Sequence, residues 1–178
     1  MPKITQEQIN QTLTSKLGKN ANKLALPRIS KVVINVGIGK IKTNPALFEK
    51  IAQSLASLSG QKPAPRVAKK AIAGFKIRQG EKVGLVTTLR GKRMRDFMIK
   101  LANIVLPRTR DFRGLEMKGF DKNANYTLGI PEHLVFPEIS PEKAEELFGF
   151  SVSIVTTAKN PKEGQALLEA WGLPFSKE

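Results

Sequence analysis

The stretch Arg28-Ile29-Ser30-Lys31-Val32-Val33-Ile34-Asn35-Val36-Gly37 constrains the fold more than any other part of the chain. It is rich in β-branched residues, which fit a pleated, half-buried surface, and reads as a strand over 28–37. Successive side chains of a strand point to opposite faces. Val32, Ile34 and Val36 therefore share a wholly apolar face, while Lys31, Val33 and Asn35 share the other. Such a strand belongs to a sheet with one covered face and one face open to a polar partner. Phe150–Thr157 alternates in the same way, and Val83–Arg90 also reads as a strand. Shorter strands are expected at 65–69, 126–130 and 134–136.

Helical segments separate these strands. Thr5-Gln6-Glu7-Gln8 has capping-box form, and Ile9, Leu13 and Leu17 follow at a spacing of four, so a helix is expected over 5–19. Asn44-Pro45 opens a second helix whose stripe is Phe48, Ile51, Leu55 and Leu58, with Gly60 as its stop. A third helix over 92–106 carries Met94, Phe97, Met98, Leu101, Ile104 and Val105 on one face, and Pro107 is expected to stop it. Pro141–Leu147 reads as a short acidic helix, and Asn160-Pro161 caps a last helix to Trp171. Residues 71–82 and 108–125 read as a long basic loop and a polar loop. The mixed order predicts one α+β domain over 1–178, with a mostly antiparallel sheet and helices on one side. A chain of 178 residues is long enough for such a core.

Charge narrows the partner. Thirty Lys+Arg stand against fifteen Asp+Glu, a net of +15, and the excess is uneven. Residues 1–113 carry a net of +19 and residues 114–178 a net of −4. A tolerant solvated surface would be the plain explanation. One face that binds a polyanion, either nucleic acid or an anionic membrane surface, explains the split better. The basic residues are interleaved with apolar ones, so they decorate folded elements.

Most enzyme classes find no support. The chain has no cysteine and one histidine, His133, which excludes a disulfide framework, a thiolate zinc site and a multi-histidine metal site. No cofactor or metal site is expected, and His133 reads as a loop or strand-edge residue. Gly37-Ile38-Gly39 follows a strand, but Lys42 stands where a dinucleotide loop needs its third glycine. The acids of the basic half, Glu7, Glu49, Glu81, Asp96 and Asp111, are scattered, although a nuclease would need only convergence in space. No apolar run reaches transmembrane length, and MPKITQEQ lacks a signal-peptide core, so a soluble, reducing compartment is expected.

The common sequence-reading modules also fail. No GXXG clamp is present, and Lys118-Gly119-Phe120 starts like an RNP1 motif but continues Asp121-Lys122. A broad basic sheet face reading RNA shape fits better, because RNA presents phosphates, 2′-hydroxyls and a wide minor groove. Asn35, Gln61 and Thr88 are polar where a strand or its flank would default to apolar residues. Phe75, between Gly74 and Lys76, is either a loop anchor packed in the core or a ring that stacks on RNA.

Seven blocks carry a resemblance: PRISKVVINVGIGK at 27–40, GQKPAPRVAKKAIAGFKIRQGEKVG at 60–84, TLRGKRMRDF at 88–97, LPRTRDFRGL at 106–115, NYTLGI at 125–130, FPEI at 136–139 and IVTTAK at 154–159. In this order they closely resemble the bacterial ribosomal protein L-five family, over about 24–175. The resemblance implies a curved antiparallel sheet with helices packed on its convex side, in a non-catalytic constituent of the large ribosomal subunit in the cytoplasm. It implies binding to 5S rRNA in the central protuberance, with 23S rRNA and neighbouring large-subunit proteins as further partners. The family's RNA-recognition set carries over to Asn35, Gln61, Phe75 and Thr88, with Lys31, Lys62 and Arg90 beside them. Its basic loop, here 73–82, implies contact with P-site tRNA through Lys76 and Arg78. The segment 108–125, with Arg108, Arg110 and Arg113, resembles the part that touches a small-subunit head protein. No membrane partner is implied.

Overall fold

A computed structural model describes residues 6–17, 25–39, 45–110, 112–139 and 147–176. Among the described residues four helices and five strands follow one another: α1 (Gln6–Leu17), β1 (Ile29–Gly37), α2 (Pro45–Ser59), β2 (Ala64–Val67), β3 (Lys82–Leu89), α3 (91–108), β4 (Tyr126–Ile130), β5 (Phe150–Thr156) and α4 (Pro161–Ala170). The strands form one antiparallel, curved and unclosed sheet in the order β2-β3-β1-β5-β4. This is the α+β class expected from the sequence.

The expected two-faced strand is present in β1. Val32, Ile34 and Val36 are buried, and Lys31, Val33 and Asn35 are half-buried or exposed. The same division holds in β3, where Leu85, Thr87 and Leu89 are buried, and in β5, where Phe150, Val152, Ile154 and Thr156 are. Covering one face of a sheet leaves the other for solvent or a partner.

The chain divides into two compact units: residues 1–32, 90–128 and 153–178, and residues 33–89 and 129–152. In the first, the buried residues Ile9 and Leu13 of α1 carry the expected spacing, and Lys16 pairs with Glu169 of α4. The capping-box residue Thr5 and the Leu17 side chain lie outside the described parts. Helix α3 departs from expectation. It runs through Pro107 to Arg108, with a π-helical turn at Leu101–Val105. The Leu106 amide reaches back to the Leu101 carbonyl, and this wider turn leaves room for the ring that would break a regular helix. Tyr126, Phe120 and Phe175 form an aromatic cluster in which the Tyr126 hydroxyl donates to the Glu116 carbonyl at 3.0 Å. Burial, with the Glu116 charge adding to it, pushes that hydroxyl's pKa up to about 12.

In the second unit, α2 buries Ile51, Leu55 and Leu58, each worth about 1.5–3 kcal/mol of transfer from water. Gly60 ends the helix at φ 66, a left-handed position that suits glycine. Residues 134–136, expected as a strand, fall instead in and just after a 3-10 turn at His133–Val135. Its apolar residues follow from packing: His133 is buried and stacks on Phe148 at 4.0 Å between ring centroids. The expected acidic helix at 141–147 falls almost wholly outside the described residues.

The expected basic loop at 71–82 is an ordered arm. The Ala68 amide donates to Glu81, and Ile72 and Ile77 exchange backbone hydrogen bonds of 2.9 and 3.1 Å. A 3-10 turn at Ala73–Phe75 forms the tip, closed by Lys76 at φ 51. The arm prolongs the β2–β3 hairpin.

Candidate nucleic-acid interface

None of the five strands contains Asp or Glu. In a chain with fifteen acids this leaves an open sheet face that offers a polyanion hydrogen-bond groups and cations without repulsion.

Within the second unit the face can be built residue by residue. β2 pairs with β3 so that Ala64 lies opposite Val86 and Arg66 opposite Gly84. These alternate with the buried Leu85, so they lie on the open side together with Thr88. The Ile38 amide donates to the Val83 carbonyl at 3.0 Å. Carried along an antiparallel ladder, that register places Asn35 opposite Val86 and Val33 opposite Thr88. Asn35 and Thr88 are then diagonal neighbours on one face, roughly 7–8 Å apart. A Cβ on Gly84 would lie 2.9 Å from the Val36 carbonyl oxygen, so glycine lets β3 approach β1 here.

Gln61 joins this pair from the end of α2. Its Nε2 donates to the Thr88 carbonyl at 3.2 Å, which fixes the side chain beside the strand. Ser59 supports it, accepting from the Gln61 amide at 3.3 Å while donating to the Leu55 carbonyl. Ser151 of β5 approaches the Asn35 carbonyl at 3.5 Å. Three of the four expected recognition residues thus gather on or beside one face, with exposed Lys62 adjacent to Gln61.

Phe75 is not among them. Thr88 lies six residues from Lys82, about 20 Å along β3, and the arm extends beyond that end. Phe75 at the tip is 72% exposed, which removes the core-anchor alternative. Val67 and Ile72 are exposed as well. Lys76 and Arg78 flank the tip and are exposed, and the arm's one acid, Glu81, accepts from the Arg78 amide at 2.9 Å.

Lys31, Arg90, Arg108, Arg110 and Arg113 belong to the first unit. Lys31 is half-buried on the open side of β1, and Arg90 is exposed just before α3. Arg108, Arg110 and Arg113 are exposed at and after the end of α3. Arg66 and Ser151 are not singled out by sequence. The four residues of β2, with Pro65 among them, are too few for alternation to register, and only pairing shows the side Arg66 faces.

His133 is 1% exposed, and no group of three or more His, Asp or Glu able to hold a metal occurs among the described residues. No helix there is long and apolar enough to cross a membrane.

A family model described as Ribosomal protein L5 matches residues 22–78, and a second, described as the C-terminus of the same ribosomal family, matches residues 82–175. The chain is 47% identical over 156 residues to a protein of Halothermothrix orenii named large ribosomal subunit protein uL5, covering 88% of this chain and 87% of that one. Proteins of the same name from Carboxydothermus hydrogenoformans and Kosmotoga olearia are 43% and 51% identical. The first alignment spans 99% of this chain and 100% of the relative, and the second 88% and 85%.

Proposed function

The chain belongs to the ribosomal protein L5 family, a structural and non-enzymatic constituent of the large ribosomal subunit, and from that footing we propose that its open sheet face binds 5S rRNA and fixes it in the central protuberance. The observation that carries this reading is the acid-free face on which Asn35 and Thr88 lie together, with Gln61 held to the Thr88 backbone. Specificity comes from these polar groups fitting a fixed RNA shape. Lys62 and Arg66 neutralise phosphates beside them, and Lys31 and Arg90 are further phosphate contacts.

The arm is a second contact. Phe75 stacks on a base or sugar while Lys76 and Arg78 meet the backbone of P-site tRNA. Arg108, Arg110 and Arg113 face a small-subunit head protein. Further 23S rRNA and large-subunit protein contacts complete the setting, in which residues 1–178 act as one RNA-binding domain. Strands β1, β4 and β5, which each contribute residues to both compact units, support that last point.

A competition filter-binding titration tests the 5S assignment. Unlabelled 5S rRNA should displace labelled 5S rRNA far better than an unrelated structured RNA of equal length. Asn35→Ala or Thr88→Ala should weaken binding by about 1–3 kcal/mol, the cost of leaving RNA polar groups unpaired. Equal competition by the two RNAs would reduce the face to a charge-only binder.

A further inference from the structure

On the covered side of the second unit, a trough of about 490 Å³ runs between α2 and β2. Its floor is apolar: Ala52 and Ala56, one turn apart on α2, leave a channel over Leu85, with Phe48 at one end. Pro65 faces it from β2, opposite Leu85. Pro63 and Pro65 have no amide hydrogen, so the β2 edge is a poor template for another strand. The trough must be filled by side chains rather than by sheet extension.

Its rim differs from the RNA face. Lys62 stands near one end, and Lys82 near the other, above the Phe48 ring at 5.0 Å. Val67, which pairs with Lys82, lies five residue steps beyond Lys62, a span of about 16 Å if extended. Glu49 and Gln53 line the helix side between them. A carboxylate there opposes a phosphate backbone but accepts from peptide amides. Lys82 already covers the Phe48 ring, and small aliphatic walls suit aliphatic side chains better than a base.

We propose that this trough docks an extended segment of a neighbouring protein, aliphatic in its middle and carrying a carboxylate towards each end for Lys62 and Lys82. The preformed proline and helix walls keep the ordering cost low. The site shares Lys62 with the margin of the RNA face but none of Asn35, Gln61 and Thr88, so its failure would leave that reading untouched.

The test is fluorescence anisotropy of the full chain with a labelled octapeptide. Its two aspartates lie roughly five positions apart, matched to the lysine spacing, with valine and leucine between. A version with lysines for the aspartates and a short single-stranded RNA serve as controls. The aspartate peptide should bind at least about tenfold more tightly than its lysine version, since a like-charge match is penalised. Ala52→Leu, which fills the channel without changing charge, should abolish peptide binding and leave 5S rRNA binding within about twofold. Lys82→Gln should weaken peptide binding and decides the matter should Ala52→Leu not fold. Equal binding of the two peptides, a folded Ala52→Leu chain that binds like the parent, unchanged binding by Lys82→Gln, or loss of the RNA control's binding in a folded Ala52→Leu chain as complete as the peptide's would each overturn the proposal.

Discussion

Thr87 and Thr88 are consecutive, yet their side chains belong to different problems. Thr87 is 1% exposed on the covered face, and its Oγ1 has no hydrogen-bond partner among the described residues. An unpaired buried hydroxyl costs free energy, and valine has nearly the same shape. Thr87→Val should therefore raise stability by about 1 kcal/mol in urea unfolding without changing RNA affinity. Thr88→Val should do the reverse, leaving stability within about 0.5 kcal/mol and weakening 5S rRNA binding. Sequence alternation alone separates these two residues, but it says nothing of the missing partner. His133 adds a pH dependence. Its burial holds the imidazole pKa below the ordinary 6.5, outweighing the Phe148 backbone bond and the nearby Glu132. The folded state then binds fewer protons than the unfolded one just below pH 6.5, so stability falls as pH drops through that window. It levels off below the folded value, and above about pH 7 His133 contributes no slope. Urea melts at pH 7.5 and 5.5 should show this loss, and His133→Phe should diminish it.

At the scale of elements, legibility follows length and alternation. β1 and β5 span nine and seven residues with one apolar face each, so their periodicity is plain in the sequence. β2, with four residues and a proline, is legible to within a residue or two, but the side taken by Arg66 is not. The stretch at 134–136 imitates a strand because half-buried Leu134 and Val135 sit in a 3-10 turn between buried His133 and buried Phe136. Pro107 imitates a stop because a π turn leaves no mark in residue pattern. The arm looks like a loop because its ordering comes from cross-pairing, Ala68 with Glu81 and Ile72 with Ile77, rather than from local propensity. That pairing makes the arm a separable element. Phe75→Ala removes a ring that is 72% exposed, so stability should change by less than about 0.5 kcal/mol. Affinity at the arm's RNA contact should drop by about 1–3 kcal/mol, the worth of one stacked base. The C-terminal segment behaves oppositely. The Leu115 amide donates to Pro174 at 2.8 Å, the Ser176 amide to Leu115 at 3.0 Å, and Phe175 stacks on Phe120. Truncation after Leu173 should cost about 2–3 kcal/mol, visible as a lower thermal midpoint.

For the whole molecule, charge decides how binding is divided between affinity and specificity. The net of +15 attracts any RNA, and counterion release makes that attraction fall with salt. On the proposed function Lys31, Lys62, Arg66 and Arg90 each meet a phosphate, so roughly four phosphates should be neutralised and log K should fall against log salt with a slope near −3 to −4. The proposed recognition residues Asn35, Gln61 and Thr88 carry no charge, so the affinity the proposal assigns them is one that salt does not remove. Two kinds of variant should therefore separate cleanly in the same titration series. Arg66→Gln should make the slope shallower by about one and weaken 5S rRNA and an unrelated RNA alike. Asn35→Ala should leave the slope unchanged and lower only the preference for 5S rRNA. If Asn35→Ala alters the slope, or Arg66→Gln alters only the preference, the division of labour across the face is wrong, and specificity would have to come from the placement of the cations themselves.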